Sequence, residues 1–101
     1  MTHSSLPIIT EPLYYILLSL LSEKQGVDLI SDIQKVSNNR IVIGPATIYA
    51  YVHALLKEKL IIEVKPSSFQ ITDKGISLLK DEYLILKHII EDSTQLLEEH
   101  I

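Results

Sequence analysis

Apolar residues recur at helical spacing in four separate stretches of this chain, and only one short region has the β-prone composition of a hairpin. Thr10-Glu11-Pro12 is a helix start: a capping hydroxyl, an acid at the positive end of the dipole and a proline tolerated in the first turn. Leu13, Ile16, Leu17, Leu20 and Leu21 then mark a wide buried face, which predicts a helix to about Ser22. Gly26 breaks that pattern, and Leu29, Ile30, Ile33 and Val36 predict a second, short helix ending near Ser37-Asn38-Asn39. After the connector Ile41-Val42-Ile43, Gly44-Pro45 opens a third helix with Ile48, Val52, Leu55 and Leu56 on its inner side. Its outer side gathers Ala46, Thr47, Tyr49, Ala50, His53, Ala54 and Lys57, small enough on the whole to let another surface approach closely.

Ile61 to Val64 and Phe69 to Thr72 are β-prone runs joined by Lys65-Pro66-Ser67-Ser68, the composition of a hairpin. Thr72 or Asp73 then caps a last helix. Gly75 lowers helix propensity in its first turn, but Leu78, Leu79, Tyr83, Leu86, Ile89, Ile90, Leu96 and Leu97 sustain an apolar stripe for about 25 residues. A helix this long projects beyond so small a core, and a second copy of the chain is the simplest cover for its stripe. Three helices, a hairpin and a long helix predict a mainly α fold with a small β-hairpin: a winged helix-turn-helix with a long C-terminal dimerisation helix. The corresponding segments are an N-terminal arm over 1–10, the winged helix-turn-helix over 11–74 and the dimerisation helix over 75–101.

The 101 residues suit one domain, and 47% hydrophobic content fills one modest core. The chain has no cysteine, which removes disulfides and thiolate metal sites and fits a reducing compartment; the expected location is the cytoplasm. The longest apolar run, Leu13 to Leu21, is about half the roughly 20 residues of a membrane span, so no membrane partner is expected. The N-terminus lacks the basic start of a secretory signal. A formal net charge of −4 weighs against a polyanionic partner until its distribution is considered. Residues 1–34 sum to −3 and residues 75–101 to −4, whereas residues 35–74 hold Lys35, Arg40, Lys57, Lys59, Lys65 and Lys74 against three acids and sum to +3. A weakly basic island between acidic flanks permits a nucleic-acid face on the middle segment.

Catalysis finds no support. His3, His53, His88 and His100 are scattered, no helix-spaced histidine pair with a glutamate occurs, and the three glycines form no phosphate-cradling loop. His88 with Glu91 or Asp92 reads as a solvated helix face. No cofactor and no metal are expected.

The residues nevertheless resemble a known family. Leu13-Tyr14-Tyr15-Ile16-Leu17-Leu18-Ser19-Leu20-Leu21 resembles the first helix of PadR-type transcriptional regulators, and Gly26-Val27-Asp28-Leu29-Ile30 resembles the start of their second. Gly44-Pro45-Ala46-Thr47-Ile48-Tyr49, followed by Leu55 and Leu60-Ile61, is similar to their recognition-helix signature. Phe69-Gln70-Ile71-Thr72-Asp73-Lys74-Gly75 is similar to the strand-into-helix motif that closes their wing. These matches span residues 12–75 and point to the short form with a single C-terminal helix.

The resemblance implies a repressor-like homodimer on double-stranded DNA, with the third helix (about 45–58) in the major groove and the wing (about 61–72) over phosphates. Thr47 and Tyr49 match positions that face DNA, and a hydroxyl and a phenol near a helix N-terminus are suitable phosphate donors. The candidate DNA-binding set is Pro45, Ala46, Thr47, Tyr49, Ala50, His53, Lys57, Lys65, Ser67 and Ser68; Tyr83, Leu86, Ile89, Ile90, Leu96 and Leu97 are the candidate dimer contacts. The family also implies a small planar or hydrophobic effector held against the first and last helices, where Tyr14, Tyr15 and Tyr83 are available. The chain departs from the family by having Ala50, His53 and Ala54 where arginine or lysine is usual, and by its short wing. A winged-helix module that binds protein and has lost DNA binding is therefore the rival reading. For His53, a DNA donor and an exposed helix residue both remain open.

Overall fold

The computed structural model of the chain describes residues 10–100. Its elements run α1 (Glu11–Ser19), β1 (Lys24–Gln25), α2 (Gly26–Val36), α3 (Pro45–Lys57), β2 (Ile61–Lys65), β3 (Ser68–Ile71) and α4 (Asp73–Glu98). The expected order of three helices, hairpin and long helix is present. The expected N-terminal arm lies outside the described residues except for Thr10, whose side chain makes no capping bond to α1.

One core joins all the elements. Ile16, Leu17 and Leu20 from the α1 region meet Leu29 and Ile33 of α2, Ile48, Val52 and Leu55 of α3, Ile61 and Phe69 of the sheet, and Leu79 of α4. Four expected inner residues lie further out: Ile30 and Leu56 are half-buried and Leu21 and Val36 are exposed, while Ser37 is buried in place of Val36. The Ser37 hydroxyl donates to the Gln34 carbonyl and accepts from Ile41 N at 3.0 Å, which ties the α2–α3 connector to the helix before it.

Three boundaries differ from those expected. Helix α1 stops at Ser19, and the Leu20 carbonyl at its end accepts from Ile71 N at 2.8 Å. Gly26 opens α2 rather than separating two helices. The sheet has a third strand, in the order β1-β3-β2 and antiparallel throughout. Lys24 and Gln25 form β1 by pairing with Phe69 and Ser68, which makes β3 the central strand. The hairpin closes on two residues, Pro66 and Ser67, with Ser67 at φ 62° and a bulge between Glu63 and Lys65. Proline at the first corner and a left-handed residue at the second are the signature of a type II turn.

Helices α2 and α3 end in the same way, on a left-handed residue. Asn38 (φ 54°) and Lys59 (φ 61°) reverse the chain, and Leu60 N bonds back to the Leu55 carbonyl while Lys59 N bonds to that of Leu56, both at 3.0 Å. Immediately beyond, α4 starts on the same spot. Thr72 N donates to the Leu60 carbonyl (3.0 Å), and the Thr72 hydroxyl shares its proton between the Lys59 and Leu60 carbonyls while accepting from Gly75 N (3.1 Å). Thr72, not Asp73, is thus the cap. Gly75 is required by this packing: a Cβ there would lie 2.2 Å from the Leu60 carbonyl oxygen and 2.6 Å from Ile71 Cγ1.

Two stability predictions follow from this packing. Gly75→Ala is expected to lose about 1–3 kcal/mol in urea denaturation despite alanine's better helix propensity, because a backbone carbonyl has to move. Ser19 is 6% exposed and its hydroxyl has no partner among the described residues, so Ser19→Ala is expected to gain about 1 kcal/mol in the same assay.

Candidate nucleic-acid interface

Helix α3 turns Ile48, Val52 and Leu55 into the core, which leaves Ala46, Thr47, Tyr49, Ala50, His53, Ala54 and Lys57 exposed along its other side. Pro45 is exposed in the first turn. The face is therefore formed as the spacing requires: shallow, with two hydroxyl groups near its N-terminal end and one lysine near its C-terminal end.

The wing turn reaches this face through Gly26. Gly26 N donates to the Ser67 carbonyl at 2.9 Å, and a Cβ on Gly26 would lie 2.8 Å from both Cε1 and Oη of Tyr49. The Tyr49 ring therefore rests on the first turn of α2 while staying 41% exposed. The start of α2, the middle of α3 and the wing turn converge on one buried glycine. Glu63 supports the turn by accepting from Ser67 N at 2.8 Å.

Lys65 and Ser67 are exposed on the wing, but Ser68 is not available to a partner. It is 2% exposed on the central strand, and its hydroxyl donates to Glu23 Oε2 at 2.6 Å. The same carboxylate oxygen lies 3.8 Å from Lys65 Nζ. Arg40, the other cation of the basic island with an acidic partner, bonds the Glu11 carboxylate and lies 3.4 Å from the Tyr15 hydroxyl; these two bonds, Tyr15 first, raise its pKa above the usual value. The island's +3 thus loses two charges to acids from the N-terminal segment. No periodicity or motif signals Glu23 or Gly26 as part of this region.

The three candidate effector tyrosines do not line one space. Tyr14 and Tyr15, edge to face with centroids 6.4 Å apart, border a pocket of about 320 Å³ with Glu11, Glu82 and Leu86. Tyr83 joins Tyr14 at a separate, smaller groove of about 180 Å³ with Leu18, Leu21 and Leu79. Burial first, then the neighbouring Tyr83 and Glu82, push the Tyr14 phenol above its ordinary pKa, so it stays protonated at neutral pH. Of the candidate dimer residues, Tyr83, Leu86, Ile89, Ile90, Leu96 and Leu97 are all exposed, at 43–64%. Among the described residues no His, Asp and Glu side chains converge to hold a metal ion, and no described helix is long and apolar enough to cross a membrane.

No family model matches the sequence, and no curated protein does. Solved structures do resemble it. F93 from STIV, described as a winged-helix DNA-binding protein, superposes with a TM-score of 0.65 at 23% identity, over 82% of this chain and 96% of that one. A transcriptional regulator from Clostridium thermocellum, Cth-833, gives a TM-score of 0.61 at 23% identity, over 84% and 97%. The fold is a winged helix. In its terms α3 stands in the recognition-helix position, the β2–β3 hairpin is the wing and α4 is the C-terminal arm.

Proposed function

We propose that this chain is a sequence-specific DNA-binding transcriptional regulator of the PadR type, a repressor acting as a homodimer, with α3 in the major groove and the wing on flanking phosphates. The observation that carries this reading is the convergence of α3, the α2 start and the wing turn at Gly26. It sets the Tyr49 ring beside the wing turn, while Thr47 and Lys57 are exposed on α3 and Lys65 and Ser67 on the wing. Thr47 and Tyr49 offer hydroxyl donors near the N-terminus of α3, where the helix dipole attracts phosphate. Pro45, Ala46, Ala50 and His53 complete the surface entering the groove, with Ser68 left out because it is buried against Glu23. The neighbouring structures are described as a DNA-binding protein and a transcriptional regulator, and the match in shape over 82% and 84% of this chain supports a similar use here.

A second reading, a winged-helix module that binds protein, is favoured by one specific observation. The interface holds few cations, and Lys65 is already paired with Glu23. The test is a titration into a labelled duplex from the promoter of the protein's own gene, at two salt concentrations, with random duplex as competitor. Binding that survives competition is expected. Lys57 and Lys65 from each protomer support a log–log salt slope of at most about −3.6, shallow for a DNA-binding dimer. Thr47→Val and Tyr49→Phe are each expected to weaken binding by several-fold. No binding to any duplex at low salt sinks the DNA reading and leaves the protein partner.

Homodimerisation through α4 is the second part of the proposal. Tyr83, Leu86, Ile90 and Leu97 follow the alternating three- and four-residue spacing of a coiled-coil seam, with Ser93 at the one intervening position, and Ile89 and Leu96 widen it on one flank. An effector held where the two subunits meet, beside Tyr14, Tyr15 or Tyr83, would act by changing the distance between recognition helices, which has to match a DNA turn of about 34 Å. Sedimentation of the full chain is expected to give a dimer whose Tm rises with concentration, and Ile90→Glu with Leu97→Glu to give a monomer. A wild-type monomer at tens of micromolar defeats this part.

A further inference from the structure

The wing carries its own counter-ion. Glu23 leaves the α1–β1 loop and lies over the central strand, where its Oε2 accepts the 2.6 Å bond from the Ser68 hydroxyl. A hydroxyl-to-carboxylate bond this short is a charge-assisted one, and its donor belongs to a residue 2% exposed, so the carboxylate has a fixed position. Lys65 Nζ, on the neighbouring end of β2, is 3.8 Å from the same oxygen. An ordinary surface ion pair is held weakly because both side chains have to be ordered. Here one side is already ordered by a bond that does not involve the lysine.

The surrounding charges cancel. The other ionised groups of the three-stranded sheet are Lys24, whose Nζ donates to Ser22 Oγ at 3.0 Å, and Glu63, whose carboxylate caps the wing turn. With Glu23 and Lys65 they make the wing region neutral. A neutral wing that meets a phosphate releases little condensed counter-ion in exchange, and counter-ion release is the main source of sequence-independent affinity.

We propose that Glu23 sets the DNA affinity of this protein by serving as an internal substitute for phosphate at Lys65, so that the wing adds little non-specific binding and discrimination rests on α3. This rests on the DNA-binding reading above. The mechanism is competitive: a backbone phosphate at the wing has to displace a carboxylate that Ser68 keeps in place. Glu23 is thus a specificity-determining residue that touches no DNA.

Glu23→Gln is the appropriate variant, since the amide oxygen still accepts from Ser68 while the charge is gone. Random duplex is titrated with wild type and variant over a series of salt concentrations. The variant is expected to bind more tightly, by roughly five- to ten-fold per wing at 0.1 M salt, with a slope steeper by about 0.9 per bound wing. Adding Lys65→Gln to Glu23→Gln is expected to return the slope to the wild-type value, whereas adding Lys80→Gln, which restores the same net charge on α4 away from the wing, is expected to leave it steep. An unchanged Tm shows that the fold is intact. If wild type binds DNA and the variant's slope is the same, the role of Glu23 is overturned and the DNA-binding reading stands. If neither protein binds any duplex, both fall together.

Discussion

The joint between Lys59-Leu60 and Thr72-Gly75 is the constraint from which the geometry of the molecule follows. Helix α3 ends on a left-handed lysine, the wing departs at once, and the chain returns to place a threonine cap and a glycine against the same two carbonyls. Lys74 adds a further bond, from Nζ to the Glu58 carbonyl at 2.8 Å. The C-terminus of the recognition-position helix and the N-terminus of the arm are thereby one rigid piece, with the wing as a loop thrown out between them.

Electrostatics depends on the fold in a way that residue counting does not show. The segment 35–74 carries +3 in sequence, yet Arg40 is matched to Glu11 and Lys65 to Glu23, both acids from the first 34 residues. The acidic flank and the basic island are folded onto each other. What remains for a polyanion is a shallow face with a lysine at one end, so shape and hydroxyl donors carry more of any recognition than charge does. A surface with so few cations gains little from phosphate contacts, the sequence-blind part of affinity.

Most of the architecture was legible because it is written in long apolar periods. The faces of α1, α2, α3 and α4 and the composition of the wing each declare themselves within ten residues or so. What was not legible is non-local. Lys24-Gln25 has no strand propensity and becomes β1 only because β3 offers an edge. Gly26 looked like a helix breaker, but its role is to leave room for the Tyr49 ring, and Gly75 looked like a weak helix residue although a carbonyl 2.2 Å from its absent Cβ makes any larger residue costly. Ser68, in the sequence a solvent-exposed turn residue, is buried because a third strand covers it. In the interface, the outer side of α3 was read correctly from spacing alone, whereas Glu23 carries no signal until the loop that holds it is folded over the wing.

The arm poses the remaining energetic problem. Helix α4 has 26 residues, but beyond Leu79 no residue of it is buried, and the whole molecule extends to 52 Å by 36 Å by 21 Å as it projects. Isolated helices gain little from propensity alone, and most helical stability in proteins comes from packing an apolar face. Here that face runs from Tyr83 to Leu97 with mean exposures near half, a contiguous patch of the kind that monomers seldom leave in water. Its seam spacing suits a helix laid alongside, and the chain offers one such helix per copy. Because the arm is fixed to α3 through Thr72 and Gly75, pairing two arms would at once fix the distance and angle between two recognition-position helices. In the homodimer proposed above, the interaction that removes the apolar stripe from water and the one that sets the spacing on DNA would be the same.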